Sequence, residues 1–165
     1  MNTGPETLGV DIGGVVISRA SERTDTSFFR ENYLETPPVA DVFEAVGRLV
    51  RERFGEHVWL VSKCGPRVER KSREWLAHHR FFAQTDVNPE HLRFCRERRD
   101  KAGICAELGI THFVDDRLEV LGYLCSVPHL YLFQPKRAEV YRHRHVLPRV
   151  HEVDSWEAML RNLRA

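Results

Sequence analysis

The stretch that decides the fold is LGVDIGGVVI, residues 8–17. Its apolar residues predict a buried strand from Leu8 to Ile17, interrupted near Asp11. Asp11 follows the first apolar run, where a carboxylate can act as a nucleophile or as a metal ligand. Gly13 and Gly14 come shortly after it and allow a ligand to approach the backbone closely. This stretch therefore predicts a strand that delivers one acidic side chain to a glycine-rich turn.

Short apolar runs elsewhere in the chain predict further buried strands. They lie at residues 58–61, 91–95, 110–114 and 129–133. Helical patterns separate these runs, and strands that alternate with helices are typical of a parallel sheet covered by helices. We therefore expect an α/β fold, namely a three-layer sandwich with a central parallel sheet and helices on both faces.

The helical patterns have recognisable ends. Helices are predicted over residues 39–54, 66–79 and 101–108, and from about residue 117. Asp100 has the position of an N-cap for the third of these helices, and Gly109 that of its stop. Asp154 and Glu157 have the spacing of a capping box, which predicts a last helix after residue 154.

Length and composition indicate an ordinary globular protein. The 165 residues favour one domain, 1–165, with a loop or flap at 18–38 and a C-terminal segment and helix at 135–165. No apolar run is long enough to cross a membrane, and the first residues lack the features of a signal peptide. Four widely spaced cysteines without a C-x-x-C pair indicate free thiols in a reducing compartment. We therefore expect a cytoplasmic protein with no membrane partner.

The charge is unevenly distributed along the chain, although the net charge is only +1. Residues 62–101 contain 11 Lys/Arg and 6 Asp/Glu, a local charge of +5, and the remainder contains 14 and 18, a local charge of −4. Most charge runs are solvated faces. The alternative is a positive rim that attracts an anionic substrate.

Three predicted strands end in side chains that can take part in chemistry. Asp11 follows the first strand, Ser62 the second, and Asp115 and Asp116 end a later one, while Lys101 begins the helix that leads into it. Ligands of open parallel sheets bind at the carboxyl ends of the strands, where these groups would meet. Carboxylates suit Mg²⁺, and a phosphoryl group beside the metal, Ser62 and Lys101 would have its charge neutralised from both sides.

This ordered set resembles the four motifs of the haloacid dehalogenase (HAD) superfamily. The matching segments are DIGGV at 11–15, WLVS at 59–62, Lys101, and FVDDR at 113–117. Each motif alone is weak, but four occur in order, each at a predicted strand end or helix start, and the resemblance covers residues 8–133. It implies a HAD-like, Rossmann-type fold and a Mg²⁺-dependent phosphatase.

The resemblance implies roles in binding and attacking a phosphoryl group. Asp11 would be the nucleophile and would form an aspartyl-phosphate. Lys101 would pair with both the phosphate and this nucleophile. The hydroxyl of Ser62 and the backbone N–H of Gly14 would donate hydrogen bonds to the phosphoryl oxygens.

The resemblance also implies a Mg²⁺ site. Asp11 would be a ligand as well as the nucleophile, and Gly13 would contribute its backbone carbonyl. Asp115 would bind the metal directly, and Asp116 would bind it through water or orient the site. Arg117 completes a run similar to that of polynucleotide phosphatase domains.

Gly13 departs from the family pattern. Family phosphatases commonly carry at this position a second Asp, which protonates the leaving oxygen and then activates water. Three interpretations follow. In the first, the protein is a working phosphatase whose acid comes from the substrate, from water or from a residue such as Asp116; in the second, it is a regulatory protein that binds phosphate with slow or absent turnover. In the third, as in dehalogenases, the chemistry is not phosphoryl transfer, but adjacent carboxylates at 115–116 argue against a metal-free site.

The spacing of the motifs also bears on the substrate. Neither residues 18–38 nor the gap between Ser62 and Lys101 is long enough for a full cap domain, so we expect an open site. An open site suits a large phosphorylated substrate, and with the local positive charge it favours a polyanion such as a nucleic-acid end. A small phosphate ester remains an alternative.

Overall fold

A computed structural model describes residues 4–19 and 31–164 of the protein. The described residues form a sheet of six strands in the order β3-β2-β1-β4-β5-β6, in which all neighbours are parallel. The strands are β1 (Leu8–Val10), β2 (Val58–Lys63), β3 (Leu92–Cys95), β4 (His112–Asp115), β5 (His129–Phe133) and β6 (Val150–Val153). The expected parallel sheet is confirmed.

Helices connect the strands. They are α1 (Val42–Leu49), α2 (Pro66–His78), α3 (Phe81–Thr85), α4 (Asp100–Leu108), α5 (Leu118–Tyr123), α6 (Arg137–Arg142) and α7 (Trp156–Arg164). A π-helical turn at Val50–Phe54 continues α1, and 3₁₀ segments lie at Tyr33–Glu35 and Arg144–Arg149. Within the described ranges, no helix has both the length and the apolar character needed to cross a membrane.

Two hydrophobic cores lie on opposite faces of the sheet, because successive side chains of a strand point to opposite faces. In β5, Tyr131 and Phe133 pack with residues of α1, α2, α3 and α7. Leu130 and Leu132 of the same strand pack instead with residues of α4, α5 and α6. The fold is therefore the expected three-layer α/β sandwich.

Two buried tryptophans attach segments near the carboxyl end of β1 to the helices. Trp156 of α7 donates from Nε1 to the carbonyl of Val15 at 2.9 Å, and Trp75 of α2 donates to the carbonyl of Thr36 at 2.8 Å. Truncation of such a residue to alanine typically costs about 3–5 kcal/mol of the free energy of unfolding. Helices on the same face of the sheet thus position the backbone at residue 15 and at residue 36.

The first strand is shorter than predicted. It ends at Val10, and the backbone amides of Val15, Val16 and Ile17 all donate to the carbonyl of Ile12, at 3.3, 2.9 and 3.0 Å. The apolar residues after the glycines are buried in this compact turn and do not extend the strand. The prediction of a strand through Ile17 was therefore wrong, because burial alone does not distinguish a turn from a strand.

Two predicted helix caps were also wrong. Asp100 is the first residue of α4, and its carboxylate accepts the N–H of Glu97 at 3.2 Å. At α7 the cap is Ser155, whose hydroxyl oxygen accepts the N–H of Ala158 at 3.0 Å. Gly109 ends α4 in the left-handed conformation, as predicted. The sequence did not predict α3 or β6.

The two segments considered for a cap differ in what the structure describes. In the predicted flap at 18–38, residues 20–30 lie outside the described residues, and the ends on either side are joined by hydrogen bonds from Ser18 N–H to Pro37 and from Val39 N–H to Val16. The segment 64–99 forms α2, α3 and β3, of which β3 belongs to the central sheet. This second segment is part of the sandwich itself.

Candidate active site

The pairing of β1 with β4 brings two acidic residues side by side. Val10 lies opposite Val114, so the next residues along each strand are Asp11 and Asp115. The amide of Asp11 donates to the carbonyl of Val114 at 3.0 Å. The strand order also reverses here, because β2 and β3 lie on one side of β1 and the chain returns on the other side at β4. Open α/β sheets bind their ligands at such a switch point.

Lys101 bridges these two carboxylates. Its Nζ donates to Asp11 Oδ1 at 2.9 Å and to Asp115 Oδ2 at 2.8 Å, and its side chain is only 2% exposed. Burial opposes the charge of the ammonium, but the carboxylates of Asp11 and Asp115 outweigh it and raise the pKa of Lys101. The first turn of α4 therefore places a permanent positive charge between the two acids.

Asp115 is a buried carboxylate that lies close to a second carboxylate, Asp11. Burial and, after it, the neighbouring charge of Asp11 raise the pKa of Asp115 to about 6, although Lys101 and the N–H of Arg117 act in the opposite direction. That N–H donates to Asp115 Oδ1 at 3.0 Å. An additional cation beside these carboxylates would stabilise their charged forms.

Asp116 adds a third buried carboxylate. Ligand atoms of Asp11, Asp115 and Asp116 all lie within 4.8 Å of one another. Asp116 forms an ion pair through its Oδ2 with the guanidinium of Arg19. Mg²⁺ prefers oxygen ligands, usually one or two carboxylates. The donor set therefore fits a hard divalent cation.

The turn after β1 requires glycine at position 14. Gly14 has φ of +81°, and a Cβ built there would overlap the carboxylate of Asp116. The resemblance implies that the N–H of Gly14 donates to a phosphoryl group. In the structure this N–H donates instead to the carbonyl of Ile17 at 2.8 Å, within the turn. Among the described residues, the amides of Ile12 and Gly13 donate no hydrogen bond. These two amides are the better candidates for that role.

Gly13 differs from its neighbour, because a Cβ built on it has no heavy atom within 4 Å. Its carbonyl accepts no backbone hydrogen bond from the described residues. The carbonyl is therefore without a backbone partner there, and its role as a metal ligand stays a prediction. The structure therefore has room for an acidic side chain at position 13, and packing does not exclude one there.

Two cavities meet at Asp11. The first has a volume of about 290 Å³ and is lined by the glycine turn, Ser62 and Asp116. The second, of about 120 Å³, is lined by Lys101 and Asp115. The structure thus brings all seven site residues named from the sequence to one edge of the sheet. Their roles remain proposals.

Sequence reasoning missed two residues that shape this site. Ser72 is buried on the face of α2 that also carries Trp75, and it lines the larger cavity. The sequence could have indicated it, because Ser72 is a polar residue at a position where the helical pattern expects an apolar one. Glu139 of α6 accepts the N–H groups of Leu118 and Glu119 at 3.0 and 2.8 Å, and so caps the helix that follows the two aspartates. No local pattern reveals this cap, since about 20 residues separate the partners.

A second group of metal-capable side chains is already engaged. It comprises Glu119, Glu139 and His143. Glu139 caps α5, while Glu119 accepts hydrogen bonds from Arg98 at 2.8 Å and from Tyr123 at 3.2 Å. The protein itself therefore accounts for both carboxylates.

Cys64 also lines the larger cavity. Burial raises the pKa of its thiol to about 11, and the charge of Glu69 adds to the effect. The thiol is therefore protonated at neutral pH and is a poor nucleophile. All four cysteines are free thiols, as predicted.

Comparison with solved structures identifies the same architecture in HAD-like proteins. A haloacid dehalogenase-like family hydrolase from Xanthomonas campestris has a TM-score of 0.60 and 11% identity, over 97% of this chain and 95% of its own. A haloacid dehalogenase-like hydrolase from Burkholderia xenovorans has a TM-score of 0.55 and 12% identity, over 82% of this chain and 63% of its own. No family model and no curated protein matches the sequence. At these identities the likeness establishes the fold.

Proposed function

We propose that the protein is a Mg²⁺-dependent phosphatase that hydrolyses phosphoric monoesters through an aspartyl-phosphate on Asp11. The observation that carries this proposal is the ammonium of Lys101 between Asp11 and Asp115, with Asp116 in the same cluster. The fold shared with HAD-like hydrolases supports it. Asp11, Asp115, Asp116 and the carbonyl of Gly13 would hold the metal.

The contacts of Asp11 suggest which atom attacks. Lys101 holds Oδ1, which leaves Oδ2 as the nucleophile. Its attack forms an oxygen–phosphorus bond, and the ester oxygen leaves with the electron pair of the broken bond and takes a proton from water. Water then attacks the phosphorus of the aspartyl-phosphate, which releases inorganic phosphate and restores the carboxylate. Bound Mg²⁺ would supply neutralisation of the charge on the phosphoryl oxygens.

The protein's own donors would hold the transferring group. Ser62 and the amides of Ile12 and Gly13 line the cavity beside Asp11 and have hydrogens to donate. Preorganised donors aimed at developing charge commonly contribute about 2.7–4 kcal/mol each to lowering a barrier. Lys101 would remain between the nucleophile and Asp115 throughout.

A second candidate is a regulatory protein that binds phosphate and turns it over slowly or not at all. Gly13 favours it, because no side chain at this position can protonate the leaving oxygen. General acid–base catalysis typically contributes about 10²–10⁴-fold to the rate. The electrostatic contributions of the other residues remain, so we place this candidate second.

Hydrolysis of para-nitrophenyl phosphate with and without Mg²⁺ tests the proposal, using the parent and Asp11→Asn. We expect Mg²⁺-dependent release of phosphate by the parent, no release above background by Asp11→Asn, and normal release by the control Asp86→Asn, at an exposed carboxylate paired with Arg51. Equal activity of Asp11→Asn and the parent would refute the role of Asp11. Phosphate binding by the parent without turnover would establish the second candidate.

A further inference from the structure

A basic groove runs from the site across the surface between the loop that follows β3 and helix α5. It has a volume of about 540 Å³, and its cations are Lys63, Arg96, Arg98 and Arg99. Tyr123 lines the same groove. The positive segment found in the sequence is therefore partly concentrated on one surface next to the carboxyl ends of the strands.

The basic groove adjoins the two cavities at Asp11, with which it shares lining residues. Lys63 lines all three spaces, since it ends β2 beside the site. Arg98 lines the basic groove and the smaller cavity, and Arg117 lines both cavities. An anion bound at Asp11 would thus have a cationic path for any chain attached to it.

The charge balance of the basic groove is positive. Its lining contains four cations and two carboxylates, Glu97 and Glu119. Glu97 pairs with Arg99 at 3.3 Å and Glu119 with Arg98 at 2.8 Å, while Arg96 pairs with Glu69, outside the lining, at 3.0 Å. The Glu97–Arg99 pair is exposed, and such pairs contribute little to stability, so a phosphate group can replace Glu97 as the partner of Arg99. The ammonium of Lys63 neither forms an ion pair nor donates a hydrogen bond to any of the described residues.

Tyr123 is an exposed aromatic ring in this cationic setting. It is 41% exposed, and its hydroxyl donates to Glu119 at 3.2 Å, which orients the ring along α5. A positively charged groove combined with an aromatic platform is how proteins bind single-stranded nucleic acids, because every base has a face that can stack. A phosphopeptide would have less use for such a ring.

We propose that the basic groove binds a single-stranded nucleic acid whose phosphorylated end lies at Asp11, with its following phosphates on the arginines and a base on Tyr123. Cleavage of that terminal phosphate rests on the proposed function, whereas binding in the basic groove does not. The inference therefore names the substrate class as an oligonucleotide end.

Binding is measured with the Asp11→Asn protein, which separates it from chemistry. The probes are single-stranded octanucleotides with a 5′- or 3′-phosphate and a fluorescent label at the other end, compared with a phosphopeptide of equal charge. We expect the octanucleotide to bind more tightly than the peptide, with an affinity that falls as salt rises. Tyr123→Ala should weaken binding about tenfold, the range for loss of one stacked base.

Matched controls exist for both features. Tyr141 is the other exposed tyrosine, 69% exposed on α6 and outside the basic groove, so Tyr141→Ala should leave binding unchanged. The double variant Arg96→Gln/Arg99→Gln should weaken binding and flatten its salt dependence. Arg137→Gln/Arg161→Gln, which removes the same charge from α6 and α7, should do neither.

The outcomes separate the inference from the proposed function. If the octanucleotide binds tightly but the parent hydrolyses neither it nor para-nitrophenyl phosphate, the result supports the basic groove and refutes the phosphatase. Hydrolysis of para-nitrophenyl phosphate without octanucleotide binding refutes the groove and retains the phosphatase. Equal losses of octanucleotide affinity in the groove variants and in the control variants would also overturn the inference. Tighter binding of the phosphopeptide than of the octanucleotide would do the same.

Discussion

Lys101 donates a hydrogen bond of 2.8 Å to Asp115, and this contact joins the first turn of α4 to the last residue of β4. The same ammonium contacts Asp11 at the end of β1, so one buried cation holds two acids from adjacent strands. Buried ions require compensation by charge and hydrogen bonds, which here each partner supplies to the others. The site and the fold therefore depend on the same contacts.

Replacing Lys101 with methionine should destabilise the protein and abolish phosphatase activity. Two buried carboxylates would lose their cation, and breaking a buried pair typically costs about 3–5 kcal/mol. Urea unfolding measures the loss. The control is Lys71→Met, at a second buried lysine, whose Nζ lies 4.8 Å from the ring centroid of Tyr33. Retained activity in Lys101→Met, with equal destabilisation of both variants, would contradict this expectation.

Magnesium should raise the melting temperature of the parent. A ligand present at 100 times its dissociation constant stabilises by about 2.7 kcal/mol, or about 5–10 °C for a protein of this size. The shift should disappear in Asp115→Ala and persist in His143→Ala, which alters the other group of metal-capable side chains. The reverse pattern in thermal melts would place the metal at the second group.

Installing an acid at the glycine should increase turnover. The space beside Gly13 is open, so Gly13→Asp can place a carboxylate there without displacing a neighbour. We expect the rate constant kcat to rise at least about tenfold, toward the 10²–10⁴ range of general acid–base catalysis. The gain should be large for an alkyl phosphate, whose leaving oxygen needs a proton, and small for para-nitrophenyl phosphate.

Gly13→Asn is the control, because asparagine has nearly the same shape as aspartate but cannot act as a general acid or base. Steady-state assays on both esters distinguish the possibilities. Equal gains on both substrates, or a gain with asparagine, would show that the acid was not the missing element.

Acid should weaken the fold through His112. Burial lowers its pKa to about 4, and the charges of His129 and Arg53 act in the same direction. The folded protein therefore keeps His112 neutral while the unfolded chain protonates it near pH 6.5. Stability is unaffected above about 6.5 and falls as pH decreases toward 4, by about 3 kcal/mol for this group.

The comparison that isolates this effect uses His112→Gln. Urea unfolding at pH 7 and pH 4 should show a smaller loss of stability in the variant than in the parent. His151→Gln, at an exposed histidine of β6, should lose as much as the parent. Identical pH dependence in the parent and in His112→Gln would contradict the assignment.

The central strands were predictable because their apolar runs are short, continuous and bounded by polar residues. The run at 129–133 became β5 with the same bounds, and the run at 58–61 became most of β2. By contrast β6 has two exposed residues in four, His151 and Glu152, and is recognisable only by its pairing with β5. An edge strand is defined by hydrogen bonds to a neighbour, and a local pattern does not record them.

The candidate site was predictable for a related reason. Asp11, Ser62 and Asp115 each stand at the end of an apolar run, and parallel pairing brings strand ends to one edge of the sheet. Lys101 was identified from its place at the start of the helix that leads into the Asp115 strand and from the order of the motifs. The engagement of the Gly14 amide with Ile17 was not foreseen, because turn geometry depends on the local backbone angles.

The sequence by itself determined the alternation of the first five strands with helices and the chemical groups at the strand ends, because burial periodicity and end residues are local properties. Tertiary structure alone decided that Glu139 caps α5, that Asp116 meets Arg19, and that Tyr123 shares a surface with Arg96. These contacts join residues that are distant in the chain. Register and packing select them, and no local pattern of residue types encodes either one.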